Sequence, residues 1–197
     1  MQILEIKKIK FSGSILDLGS KKSGSNVTNY INSNENIKYA DKYSNNADNI
    51  KIDLEKIENI NNIEYDNVLL FNVLEHVFNF KNCLNNCYKI LTKNGHFYGA
   101  TPFFFRIHES PNDYFRYTEQ SLIIMLKEAG FKNINIKIVG GGIFLCFYNS
   151  ISTIFNKVPI LNNLILIFCQ ILDFLISLYS KNFKKIYPLG YFFFAEK

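Results

Sequence analysis

The sequence predicts an α/β protein built on a doubly wound, mostly parallel sheet with helices on both faces. Two observations carry that reading. Short, continuous apolar runs that suit strands buried on both faces alternate with segments of helical period, the order that produces a parallel sheet. Polar residues then stand at or just past the carboxyl end of each successive run, where an open α/β sheet binds its ligands. With 197 residues and 48% hydrophobic content the chain can bury one good core, so residues 1–197 are expected to form a single domain.

The first elements run as follows. The lead, MQILEIKKIK, has no apolar core long enough for a signal peptide, and a reducing cytoplasm is the expected setting. SILDLGSKKSGSN reads as strand, glycine turn and helix start. Ile15, Leu16 and Leu18 form the strand, Gly19 permits the turn, and Ser23 or Ser25 caps a helix carrying Val27, Tyr30 and Ile31. Asp17 stands two residues before Gly19. Dinucleotide sites place G-x-G-x-x-G straight after the strand and need no such acid, so the loop departs from a nicotinamide site. NIKYADKY supplies a second strand ending on Asp41, close to the distance of ~20 residues at which an acid meets ribose hydroxyls. NIKIDLEKI is a third short strand ending on Asp53, placed to accept from an exocyclic amine while Leu54 packs on a ring.

YDNVLLFNVLEHVFNF is the fourth strand, with Asn72, Glu75 and His76 just past its end. Those groups either face a ligand or merely cap and solvate the helix that follows. That helix carries Phe80, Leu84, Cys87 and Leu91 at helical spacing and stops at Thr92-Lys93-Asn94-Gly95, where Asn94 or Gly95 takes the left-handed conformation. HFYGATPFFF supplies a fifth strand running out at Pro102, and TEQSLIIMLKEAGF is a helix capped by Thr118 and stopped by Gly130. Cys83, Cys87, Cys146 and Cys169 form no CxxC pair, Cys83 and Cys87 share a helix face with Phe80, Leu84 and Leu91 and read as small core hydrophobes, and no metal site is expected.

Charge narrows the partners. The net charge of +5 is dispersed, with no run denser than KKIK at 7–10 or KNFKK at 181–185, so nucleic acid is not an expected partner. Arginine is informative because Arg106 and Arg116, the only two in the chain, both lie in FFFRIHESPNDYFRYT. Guanidinium groups kept where lysine serves elsewhere suit a planar, bidentate task such as holding a carboxylate or phosphate, or a structural salt bridge.

The runs ILDLGS, YADKY, IKIDLEKI, YDNVLLFNVLEHV and YKILTKNGHFYGATP together resemble the class I S-adenosylmethionine-dependent methyltransferases of the type 11 subgroup. His108, Pro111, Asp113, Tyr114, Arg116, Tyr117 and Thr118 fit H-x-x-P-x-D-Y-x-R-Y-T, a segment of a branch often found near surface-glycan synthesis. The resemblance covers about residues 13–140, with a weaker match at the closing YPLGYFFFAEK. It implies a Rossmann-like, seven-stranded sheet and S-adenosylmethionine as cofactor. Asp17 and Gly19 would border the methionine part, Asp41 the ribose, Asp53 with Leu54 the adenine, and Asn72 the region near the methyl. The segment 106–117, with Tyr114 and Arg116, would lie on the acceptor side. His108 is the first candidate for a general base and His76 the second. Two features depart from the family: Lys21 and Ser23 replace glycines of the usual D-x-G-x-G-x-G loop, and Asn94 replaces one of two glycines.

Residues 143–182 are an apolar helical insertion before the last strand, in two segments, the second interrupted by Asn162, Asn163, Gln170 and Asp173. An aspartate at its centre argues against a simple membrane span. Helices lying on a membrane surface or lining a lipid-shaped cleft are expected, with Lys181, Lys184 and Lys185 meeting anionic head groups and 143–185 as the contact region at the inner face of the membrane. Extra core or a dimer interface is the alternative. The expected function is methyl transfer to a small or lipid-linked acceptor, in keeping with surface-glycan synthesis. A non-catalytic membrane-associated module with a degenerate cofactor site, or a nicotinamide-dependent oxidoreductase, are the other classes.

Overall fold

A computed structural model describes residues 2–20, 27–31, 37–43, 49–56, 64–109, 111–155, 157–180 and 182–197. Lys21, Ser23, Ser25 and Lys181 lie outside these residues, and so does most of the helix expected after Gly19. Among the described residues the sheet has six strands: β1 (Ile15–Leu18), β2 (Ile37–Ala40), β3 (Tyr65–Phe71), β4 (Leu91–Pro102), β5 (Lys132–Ile138) and β6 (Gly190–Glu196). Their order is β2-β1-β3-β4-β6-β5, with β6 antiparallel to both of its neighbours and the rest parallel. Six strands replace the seven expected. The segment ending on Asp53 makes only a single parallel bridge, Ala40 with Ile50, before Asp53 accepts from the Glu55 N–H at 3.1 Å and turns the chain away.

The helices are α1 (Gln2–Ile6), α2 (Phe80–Ile90), α3 (Glu119–Glu128), α4 (Ile143–Phe155), α5 (Pro159–Tyr179) and α6 (Phe183–Ile186). The period-3.6 pattern of α2 turns Cys83, Leu84, Cys87 and Ile90 onto one face of the sheet, where Leu122 and Leu126 of α3 join them over Val68, Leu70 and Phe97. Ile6 of α1 packs on the other face with Ile15, Leu69, Phe71 and Phe192. The four cysteines are buried thiols, as the helical spacing suggested for Cys83 and Cys87. Thr118 caps α3 as expected, its side chain accepting from the Ser121 N–H at 3.2 Å, whereas α2 stops earlier than expected, at Ile90 with Leu91 already extended, and Asn94 takes its left-handed φ of 63° inside β4. The fourth strand does not pass directly into a helix. A short 3-10 turn, Leu74–His76, separates β3 from α2 and brings Glu75 beneath the strand ends.

The apolar insertion forms an antiparallel hairpin of α4 and α5. Its root sits where β5 ends and β6 begins: Gly141 bridges to Pro188, and the Asn149 side-chain amide donates to the Phe104 carbonyl at 3.1 Å. Because β6 is antiparallel, that end is also the carboxyl end of the parallel strands. The insertion is not additional core. Of α5 only Cys169 and Asp173 are buried, whereas Ile160, Leu164, Ile167, Phe168, Ile171, Phe174 and Leu178 are all more than half exposed. Asp173 is turned inward, where it accepts from the Phe144 and Leu145 N–H groups at 3.1 and 2.7 Å.

Candidate active site

A cavity of about 500 Å³ opens at the carboxyl ends of β1, β2 and β3, a size ordinary for a small-molecule site. Gly19 closes one wall at φ 78°, and a Cβ there would stand 2.3 Å from Val73 Cγ2, so the turn after β1 accepts no larger residue without displacing the opposite wall. Asp41 and Asp53 sit on one side, and Leu18, Ile52, Leu54, Val73 and Val77 supply an apolar slot. Asn72 lines the cavity in a left-handed conformation, φ 54°. Its amide is paired reciprocally with that of Gln2, at 2.8 and 3.2 Å.

The structure gathers most of the expected cofactor residues. Gly19, Asp41, Asp53, Leu54 and Asn72 all border this cavity, and so do His76 and Tyr114 from the acceptor side. Asp17 does not. It is fully buried within β1, paired in register between Tyr39 and Leu69, behind the turn rather than on the wall. Asp53 is already engaged, since Lys42 Nζ lies 3.1 Å from one carboxylate oxygen and the Glu55 N–H bonds the other. Lys42, Tyr43, Glu55, Pro111 and Asn112 also line the cavity and were not foreseen. For Lys42 and Tyr43 the signal was adjacency to Asp41. For Asn112 there was none beyond its place in the H-x-x-P segment.

The second part of the site is a polar centre beneath segment 103–118. That segment is tied to the 3-10 turn by the Glu75 carbonyl, which accepts from the Tyr114 N–H at 2.8 Å, and by the Tyr117 hydroxyl, which donates to the Leu74 carbonyl at 3.3 Å. Glu75 is completely buried, and burial raises its carboxyl to about 7. One oxygen accepts from the Thr101 hydroxyl at 3.4 Å, and the other lies 3.8 Å from Nε2 of both His76 and His108. The two imidazoles meet edge to face, centroids 4.9 Å apart. Glu75 was read from sequence either as facing a ligand or as part of a helix start; its role as the buried hub of both histidines depends on the segment after β4 passing back over the 3-10 turn.

Arg116 is not presented to an acceptor. Both of its terminal nitrogens bond Asp113, and they also donate to the Phe115 and Arg106 carbonyls. The planar fork expected for a ligand is spent on this internal pair, and it holds the Asp113 carboxyl well below the usual carboxylate range. Asp113 in turn accepts from the His108 N–H at 2.9 Å. Arg106 is exposed, its guanidinium 5.4 Å from the Phe105 ring centroid.

The sheet order and the cavity with its acids at the strand ends define a Rossmann-like fold with a ligand site at its expected edge. A family profile described as a methyltransferase domain matches residues 12–99. That match and the fold together support an S-adenosylmethionine-dependent methyltransferase. No curated protein matches it. Among solved structures it resembles an S-adenosylmethionine-dependent methyltransferase from Archaeoglobus fulgidus, with 14% identity, TM-score 0.62, and 99% of this chain and 92% of that one covered. It also resembles phosphoethanolamine N-methyltransferase 2 of Haemonchus contortus in complex with S-adenosylmethionine, with 15% identity, TM-score 0.59, and 100% and 52% covered. A third is the 1,6-didemethyltoxoflavin-N1-methyltransferase of Burkholderia thailandensis, with 12% identity, TM-score 0.57, and 100% and 78% covered. The cavity suits the cofactor: carboxylates for hydroxyl and amine donors on one side, an apolar slot for a ring on the other. When bound, S-adenosylmethionine supplies an electrophilic methyl group.

Proposed function

We propose that the chain methylates a small, lipid-linked acceptor at a membrane surface, an intermediate of surface-glycan synthesis being the class that fits the segment around His108. The observation that carries this reading is the α4–α5 hairpin, rooted between β5 and β6 at the same edge of the sheet as the cavity and turning a long apolar face away from the fold. By length and composition α5 could cross a membrane, with mean hydropathy 1.9 and 11% of the most apolar window buried. A flat seat on the surface suits it better. Exposed lysines stand at both of its ends, Lys157 at the hairpin tip and Lys184 and Lys185 beyond the root, which suits a helix lying flat with both ends at head-group level.

In this reading Asp41 orients the ribose, Asp53 and Leu54 the adenine, and Asn72 and Gly19 the reacting end of the cofactor. Segment 106–117 meets the acceptor, with Tyr114 on the shared wall. The acceptor's reacting group enters beside His76 and His108, whose imidazoles are positioned to take its proton; His108, with a third of its side chain accessible, is the first base and His76 the second. The cytoplasmic face of the membrane is the expected location.

The test is liposome flotation with labelled methyl transfer. Binding is expected to require anionic lipid and to weaken with salt, because attraction to a charged surface is screened over about 8–10 Å. Leu164→Glu with Phe168→Glu should abolish flotation and leave S-adenosylmethionine affinity unchanged. A chain that never floats and labels only water-soluble acceptors would refute the lipid-linked part.

A further inference from the structure

We infer that Glu75, His76 and His108 form a site for one divalent transition-metal cation, of the zinc class, with open coordination positions facing the acceptor. The donor atoms lie within 4.8 Å of one another, and no two of these residues are hydrogen-bonded to each other, since 3.8 Å from Glu75 to each Nε2 is beyond hydrogen-bond reach.

Lone pairs explain why. His76 Nδ1 contacts the Asn112 carbonyl oxygen, which can only accept, so Nδ1 carries the proton and Nε2 is bare. His108 Nδ1 is buried and makes no hydrogen bond, but the Asp113 carboxylate 3.4 Å away favours a proton on that nitrogen, which leaves Nε2 bare as well. Both bare nitrogens face the one Glu75 oxygen that accepts no hydrogen bond. Three acceptors therefore converge on one point with no donor between them, in a pocket where Glu75 is fully buried. That arrangement is costly alone and favourable around a cation.

The surroundings match those of a metal centre. Ligating histidines ordinarily give their second nitrogen to a carbonyl or carboxylate, which fixes ring and tautomer; here the Asn112 carbonyl meets His76 Nδ1, and Asp113, anchored by Arg116, stands 3.4 Å from His108 Nδ1, within a small ring rotation of a hydrogen bond. Two histidines and one carboxylate suit zinc and its neighbours, which hold such donors at about 2.0–2.2 Å. Inward rotation of the two rings, by about half an ångström to one ångström, brings the donors to that distance. Three protein ligands leave a position open, and His76 also lines the cofactor cavity, so an acceptor hydroxyl or amine bound there would stand beside the methyl donor's site. Its proton would pass to solvent on the accessible side of His108. The two imidazoles then act as ligands, and the cation supplies the acidity assigned above to a histidine base. The ligands come from two separate loops, so no metal spacing is legible in the sequence.

The acceptor role rests on the methyltransferase reading, but metal binding does not. The chelator-treated full chain is titrated with Co²⁺, then Zn²⁺. One Co²⁺ per chain is expected, with the visible absorption of a low-coordinate site, displaced by Zn²⁺ and weakened at least tenfold in His108→Ala and Glu75→Gln. A second readout needs no variant: Zn²⁺ should shield His76 and His108 from carbethoxylation by diethyl pyrocarbonate, mapped by mass spectrometry, and leave His96, the remaining one of the 3 histidines, reactive. No saturable one-to-one binding, or no selective shielding, overturns the metal site. S-adenosylmethionine binding measured on the same samples separates the two readings, since its retention without metal binding would leave the histidine base standing.

Discussion

Asp173, near the middle of an apolar helix, accepts a hydrogen bond from the Leu145 N–H at 2.7 Å and thereby closes the start of α4. Its other oxygen takes the Phe144 N–H at 3.1 Å. Orphan amides at a helix start favour a negative charge, which explains an aspartate that would be costly facing lipid. Gly142, at φ 134°, makes room for it, because a Cβ there would stand 2.2 Å from Asp173 Cγ.

Asp173→Ala should therefore loosen the hairpin at its root. Hydrogen bonds to a charged group contribute about 1.5–3 kcal/mol, so the loss in denaturant unfolding should be about 2–3 kcal/mol, and less for Asp173→Asn. Equal stability of the Ala variant would contradict the capping role.

Asp66 links β1 to β4: it accepts from the Ser14 N–H at 2.8 Å, the Ser14 hydroxyl at 2.9 Å and the Thr92 hydroxyl at 3.1 Å. These bonds, the Ser14 backbone bond foremost, lower its pKa below the ordinary carboxylate value. A group depressed in the folded state adds stability above its unfolded pKa, near 3.9, and loses it as pH falls through the folded value. Asp66→Asn should thus cost about 1 kcal/mol at pH 7 and flatten the loss of stability of the wild type below about pH 4. Acid unfolding curves with parallel slopes would show that Asp66 is not the group responsible.

Arg116→Lys replaces a two-pronged hold on Asp113 by a single point charge. Segment 106–117 should loosen, and acceptor kcat/KM should fall about tenfold or more, while S-adenosylmethionine affinity stays within about twofold. A matching drop in cofactor affinity would place the arginine's effect in the fold as a whole.

Much of this was legible because it is local. Apolar runs ending in polar residues located β1 to β4 and with them Gly19, Asp41 and Asn72, since a strand's end fixes where its next residues point. What failed was long-range. Ile50 pairs with Ala40 alone because the Asp53 turn leaves no length for a strand, and the partner of Arg116 is three residues away, on a turn whose geometry no pattern announces. Glu75 is the clearest case: its burial and its approach to His108, 33 positions on, exist only once β4 has returned the chain over the strand ends.

The central claim is that the cavity between Asp41 and Asn72 binds S-adenosylmethionine. Calorimetry of the full chain should show one-to-one binding of S-adenosylmethionine or its demethylated product. Asp41→Ala should weaken it by about 1.5–3 kcal/mol, the range for hydrogen bonds to a charged group. Tight binding of a nicotinamide dinucleotide with no response to S-adenosylmethionine, or an Asp41→Ala variant that binds as the wild type does, would contradict it.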